Sequence, residues 1–126
     1  MSLHPATRMH AVLTLSSSLS TQAIEMYRAS QDLVRAVEAA HIADADLSDH
    51  ATVAAKSAFL SVCEGLPLEK ATVRLAHLER ARAALHHVQN IVDLAVAVDD
   101  IALDQARTVE ALAARMEAML VAIQYH

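Results

Sequence analysis

One glycine and two prolines in 126 residues leave this chain almost no means of breaking regular structure. Gly65 and Pro67 stand together, so the interior carries a single strong punctuation mark, Glu64-Gly65-Leu66-Pro67. Glycine and proline are the residues that most often end helices and strands. The remainder is rich in alanine, leucine and valine, which favours helix along most of its length. The expected fold is all-α: an up-down antiparallel four-helix bundle in one domain spanning 1–126, with a helical arm over about 1–20.

The apolar fraction of 55% and mean hydropathy of +0.29 are high for a chain of this size. The longest apolar candidate, Ile91 to Val98, already contains Asp93 and falls far short of the ~18 residues that would span a bilayer. Near the start, Ala11-Val12-Leu13-Thr14-Leu15 runs into a serine tract and is too short and polar for a secretory core. The surplus apolar surface is therefore expected between helices or between subunits, with no membrane partner. A lone cysteine, Cys63, allows no intrachain disulfide and fits a cytoplasmic protein.

Helical spacing divides the chain. Pro5 suits the first position of the arm. The tract from Ser16 to Thr21 offers N-caps that either start the first main helix or bend one long helix. Ala23, Met26, Ser30, Leu33 and Val37 then form one stripe. The polar stretch Asp44 to Asp49 separates this helix from the second, with Asp46 or Ser48 as its N-cap. The second helix shows Val53, Ser57, Leu60 and Cys63 on one side. Gly65 is expected to end it at positive φ, and Pro67 to open the third helix, which runs to about Val98. That helix carries two stripes: Leu68, Ala71, Leu75, Leu78, Leu85, Val92, Val96, and Val73, Ala76, Ala83, His87, Ile91, Leu94, Val98. One stripe suffices for packing in a bundle, so the second predicts self-association. Asp99-Asp100 is expected to cap the fourth helix, with Val109, Leu112, Met116, Met119 and Ile123 facing inward.

With the helices placed, Ile24-Glu25-Met26-Tyr27, the segment Ser57 to Gly65 and the Pro67 entry to a long helix resemble a bacterial family. It is the family of four-helix-bundle proteins named after 23S rRNA intervening sequences. Ser57, Glu64 and Gly65 coincide with its Ser-Ile-x-x-Asn-Ile-Ala-Glu-Gly signature, and Val62 replaces a similar Ile. Ser61 stands where the family usually has Asn, and Thr52 and Val53 where it usually has Arg. The resemblance implies a four-helix bundle assembled as a homopentamer. It does not imply nucleic-acid binding, because the related retroelement accessory proteins are strongly basic whereas this chain carries −5 with a pI near 5.8.

No residue pattern assigns chemistry. Glu38-x-x-His41 has di-iron spacing, but that site needs a second copy, and none is present. Asp46 and His50 share a helix face at a helix boundary. His86 and His87 are adjacent and project about 100° apart, so they do not chelate together. His87 reads as a hydrogen-bonded core or interface histidine, and Cys63, beside Glu64, as inert packing. Met116 and Met119 fall at core spacing, and a single glycine builds no phosphate loop. The expectation is no catalytic, cofactor-binding or metal residues and no enzyme activity. The chain reads as a structural or interaction protein whose partner is itself. The alternative is a nucleic-acid accessory factor using Lys70, Arg74, Arg80 and Arg82. The acidic balance opposes it, and Arg80 and Arg82 point to different faces.

Overall fold

The computed structural model describes residues 17–124, which form four helices and, among these residues, no strand. They are α1 (Ser17–Ala39), α2 (Ala45–Gly65), α3 (Ala71–Ala97) and α4 (Leu103–Gln124). The described part of α1 runs without a break from Ser17, while most of the expected arm, and with it the choice between a helix start and a bend in the serine tract, lies outside the described residues. Connections 40–44, 66–70 and 98–102 are short, which makes consecutive helices antiparallel. Each helix packs on its sequence neighbours and α4 closes onto α1, so the bundle is up-down. A hydrogen bond from Ala43 N–H to the Asp100 carbonyl (2.9 Å) ties the first and third connections together at one end.

The helix ends differ from the sequence expectation in instructive ways. α2 is capped by Asp44, whose Oδ1 accepts from Leu47 N–H at 2.9 Å, rather than by Asp46 or Ser48. Asp44 wins because it alone stands extended one residue before the helix, where its side chain reaches an orphan N–H. Gly65 is not at positive φ; the left-handed positions are His41 (φ 50°) and Asp99 (φ 63°). Asp99 ends α3 instead of capping α4. Its N–H bonds Val96 O (3.2 Å) and that of Asp100 bonds Ala95 O (2.8 Å), the paired bonds that satisfy a helix C-terminus. Pro67 does not open α3 either. It lies in the turn, and the helix begins after Lys70, which is extended.

Gly65 has a different reason to be glycine. A Cβ there would stand 2.7 Å from His77 Cβ and 3.4 Å from the Arg74 carbonyl. The end of α2 runs too close to the start of α3 for any side chain.

The core follows the expected stripe on α1: Ala23, Met26, Ser30, Leu33 and Val37 are all buried. Ser30 Oγ donates to the Tyr27 carbonyl at 2.8 Å, so the one buried hydroxyl of the stripe is satisfied within its own helix. Leu78, Leu85, Val88, Val92, Val109, Met116 and Leu120 complete the centre from α3 and α4. On α2 the expected stripe divides, with Cys63 buried and the rest of it outside. Its inward residues are Ala51, Ala54, Ala55 and Ala58 with Ser61, Val62 and Cys63, while Val53, Ser57 and Leu60 face out. Alanine presents little volume, so α2 settles closely against α3, and the larger apolar side chains are displaced to the outside. Tyr27 and Phe59 meet between α1 and α2 with ring centroids 5.5 Å apart and planes tilted by 54°, a favourable aromatic geometry.

Candidate interaction surface

The outward faces of α2 and α3 both repeat at alternating steps of three and four residues. On α2 the exposed or half-exposed series is Asp46, His50, Val53, Ser57, Leu60 and Glu64. On α3 it is Val73, Ala76, Arg80, Ala83, His87, Asn90 and Leu94, exposed throughout. Such a heptad series marks the seam along which one helix receives another. Four of its members are large and apolar yet strongly exposed: Val53 (67%), Leu60 (48%), Val73 (42%) and Leu94 (49%). Val98, just past the end of α3, is also exposed, whereas Ile91, expected on this stripe, is buried in the core.

Between the two series runs a groove of about 580 Å³. Ala54, Ala83 and Ala84 give it an apolar floor, Val53 forms one lip, and Asp49, His50, Ser57, Arg80 and His87 stand around it. It continues along α2 as a second depression past Lys56, Leu60 and Glu64. Lys56 leans away to Glu38 on α1, at 3.7 Å. Among the described residues no side-chain hydrogen bond spans the groove, and Glu64 approaches Nδ1 of His77 only to 3.8 Å.

The other flank of α3 carries polar contacts to α4, although Leu75, expected on the inward stripe, stands 42% exposed on it. Arg82 Nε donates to Glu117 Oε1 at 2.9 Å, and His86 Nε2 stands 2.9 Å from Glu117 Oε2, so one α4 carboxylate clamps two α3 side chains. Nearer the opposite end Glu110 faces Asp93. Partial burial, then the hydrogen bond and negative charge of Asp93, push the Glu110 carboxyl above its ordinary value, with Arg107 opposing. Proton sharing between two carboxyls is the expected response to their proximity.

The structure separates the residues weighed in the sequence. Glu38 pairs with Lys56, and His41 occupies the left-handed position after α1. Among the described residues no three of His, Cys, Asp or Glu gather as metal ligands would. Cys63 is buried, as are Met116 and, partly, Met119. His87 is exposed at the groove and makes no hydrogen bond within the described chain, which removes the core alternative from its reading as a core or interface histidine. Lys70, Arg74, Arg80 and Arg82 form no common patch. Arg74 donates to the Leu68 carbonyl (3.2 Å), Arg82 turns to α4, and only Arg80 joins the groove. The outward heptad of α3 was read in the sequence as its second apolar stripe, apart from Ile91, whereas that of α2 was visible as Val53, Ser57 and Leu60 but not recognised as an outward face. No helix among the described residues is long and apolar enough to cross a membrane. No family model, curated protein or solved structure matches this chain.

Proposed function

We propose that the protein is a structural or interaction protein, resident in the cytoplasm, that assembles with copies of itself through the outer face of α2 and α3. The observation that carries this reading is the exposure of Val53, Leu60, Val73 and Leu94 on one continuous face, whereas the opposite flank of α3 makes polar contacts to α4 and leaves one large apolar residue, Leu75, exposed. Contiguous exposed apolar surface of this kind marks interaction sites. Covering it yields about 25 cal/mol per Å² removed from water. The reading assigns the chain no catalytic step and no cofactor. The resemblance to the intervening-sequence family supports five subunits, arranged head to tail around a ring in which each interface repeats.

Light scattering on size-separated protein tests this directly. At micromolar concentration the mass is expected at a multiple of 13.6 kDa, five-fold for the ring. A 13.6 kDa species across the micromolar range would overturn the reading. The dispersal of the four basic residues favours no second reading as a nucleic-acid accessory factor. No gel shift with duplex DNA or structured RNA is expected at physiological salt, and a micromolar shift that weakens steeply with salt would reinstate it.

A further inference from the structure

The outer face is made of two stripes with opposite chemistry. That of α2 carries Asp46, His50 and Glu64, with Asp49 beside it, and its neighbouring cation Lys56 is turned to Glu38. That of α3 carries Arg80 and His87, begins just after Lys70, and contains no acid. Arg80, His50 and His87 make no polar contact within the described chain.

The stripes also differ in size. Val53 on α2 and Ala83 on α3 line the same groove. One heptad from each toward the 66–70 connection, α2 carries Leu60 and α3 carries Ala76. Along this stretch α2 presents knobs where α3 presents holes.

We propose that α2 of one copy docks antiparallel along α3 of a second copy, acidic stripe on basic stripe, with the large side chains of Val53 and Leu60 turned to the small-residue stripe that holds Ala76 and Ala83 on the partner subunit. The inference rests on the self-association reading and specifies its interface. Two bundles set side by side in the same direction produce this contact, since α2 and α3 already run oppositely within each. A rotation axis along the bundle generates it, so a two-fold pair and a head-to-tail ring both accommodate it. The competing arrangement places α2 on α2 and α3 on α3. It sets Asp46 and Asp49 against Glu64 and puts the Arg80–His87 stretch of one copy on the same stretch of the other, so like charges oppose and knobs meet knobs. Seams that repeat every seven residues on both helices suit the shallow crossing of coiled-coil packing.

Two substitutions decide it: Val53→Glu and Ala83→Arg. Both positions are exposed, so circular dichroism should report unchanged helix for each. Each variant alone is expected to associate at least tenfold more weakly than the wild type in sedimentation or light scattering. An equimolar mixture is expected to recover association, because the carboxylate introduced on α2 of one chain then meets the guanidinium introduced on α3 of the other. If both variants weaken association and the mixture stays dissociated, stripes pair like with like and the proposal is overturned. If the wild type associates and neither substitution changes it, the interface lies elsewhere, and the proposal falls while self-association stands. A wild type that is monomeric throughout removes both.

Discussion

The two flanks of α3 are finished differently. Toward α4, a ladder of polar side chains spans the helices: Arg82 and His86 share Glu117, and Asp93 faces Glu110, with Leu75 as the one large apolar residue exposed beside them. Toward α2, small residues bring the backbones together beneath, and the groove above is left with Val53, Arg80 and His87 uncovered. Polar groups that satisfy one another across a helix pair need nothing further. An apolar heptad flanked by charges without partners does. The difference separates a flank that completes the monomer from one that fits another molecule.

The largest expected effect tests how tightly the α2 side is closed at its base. Gly65→Val places a Cβ 2.7 Å from His77 Cβ, an atom that no side-chain rotation removes, so α2 and α3 must move apart. Overpacking of this kind costs about 3 kcal/mol. Gly65 is not at positive φ, so Gly65→Asn gains nothing from the tolerance of Asn for left-handed backbone and should also destabilise. Denaturant midpoints measure both. An Asn variant as stable as the wild type would restore the left-handed reading and break the close-approach account.

This correction shows what was legible in the sequence and what was not. The helical class, the number of helices and the α1 stripe from Ala23 to Val37 follow from local propensity and period, and they appear in the structure. The face of α2 did not follow. Hydrophobicity ranks Val53 and Leu60 above alanine, but Ala51, Ala54, Ala55 and Ala58 are buried because helix approach distance, a tertiary quantity, selects small residues. Asp99 as a helix terminus was equally hidden, since aspartate reads first as an N-cap. The interaction surface was half legible: the second stripe of α3 was visible, but its continuation on α2 required knowing which face of α2 turned outward.

Arg80 and Arg82 sharpen the comparison because they sit two residues apart and serve opposite flanks. Arg82→Ala should cost the fold about 1 kcal/mol, since its 2.9 Å bond to a half-buried Glu117 is lost. Arg80→Ala should change the stability of the dilute monomer by less than about 0.5 kcal/mol, as expected of a surface residue without contacts. Urea unfolding at concentrations below association measures both, with dilution removing the contribution of assembly. Equal losses for the two variants would show that both flanks serve the monomer alike.

The smallest effect concerns Glu110 and has a sign opposite to that of Arg82. Its carboxyl sits above the ordinary value of 4.5, first through burial and then through Asp93, so the folded state holds this proton more tightly than the unfolded chain does. As pH rises from the ordinary carboxylate range through the raised value, the folded protein releases a proton that the unfolded chain has already lost, and stability falls across that window. Above that window the ionised Glu110 faces the negative charge of Asp93, which repels it. Glu110→Gln removes one of the two charges and keeps an amide able to donate to Asp93. The variant should therefore be more stable than the wild type at pH 7, on the order of a few tenths of a kcal/mol because solvent screens this partly exposed pair. The advantage should vanish below the ordinary carboxylate range, where the wild-type pair holds its proton. Thermal midpoints of the two proteins, taken from pH 4 to pH 8, trace the difference. A variant less stable at neutral pH would mean that attraction to Arg107 outweighs repulsion by Asp93, and the α4 flank would then be held by net attraction along its whole length.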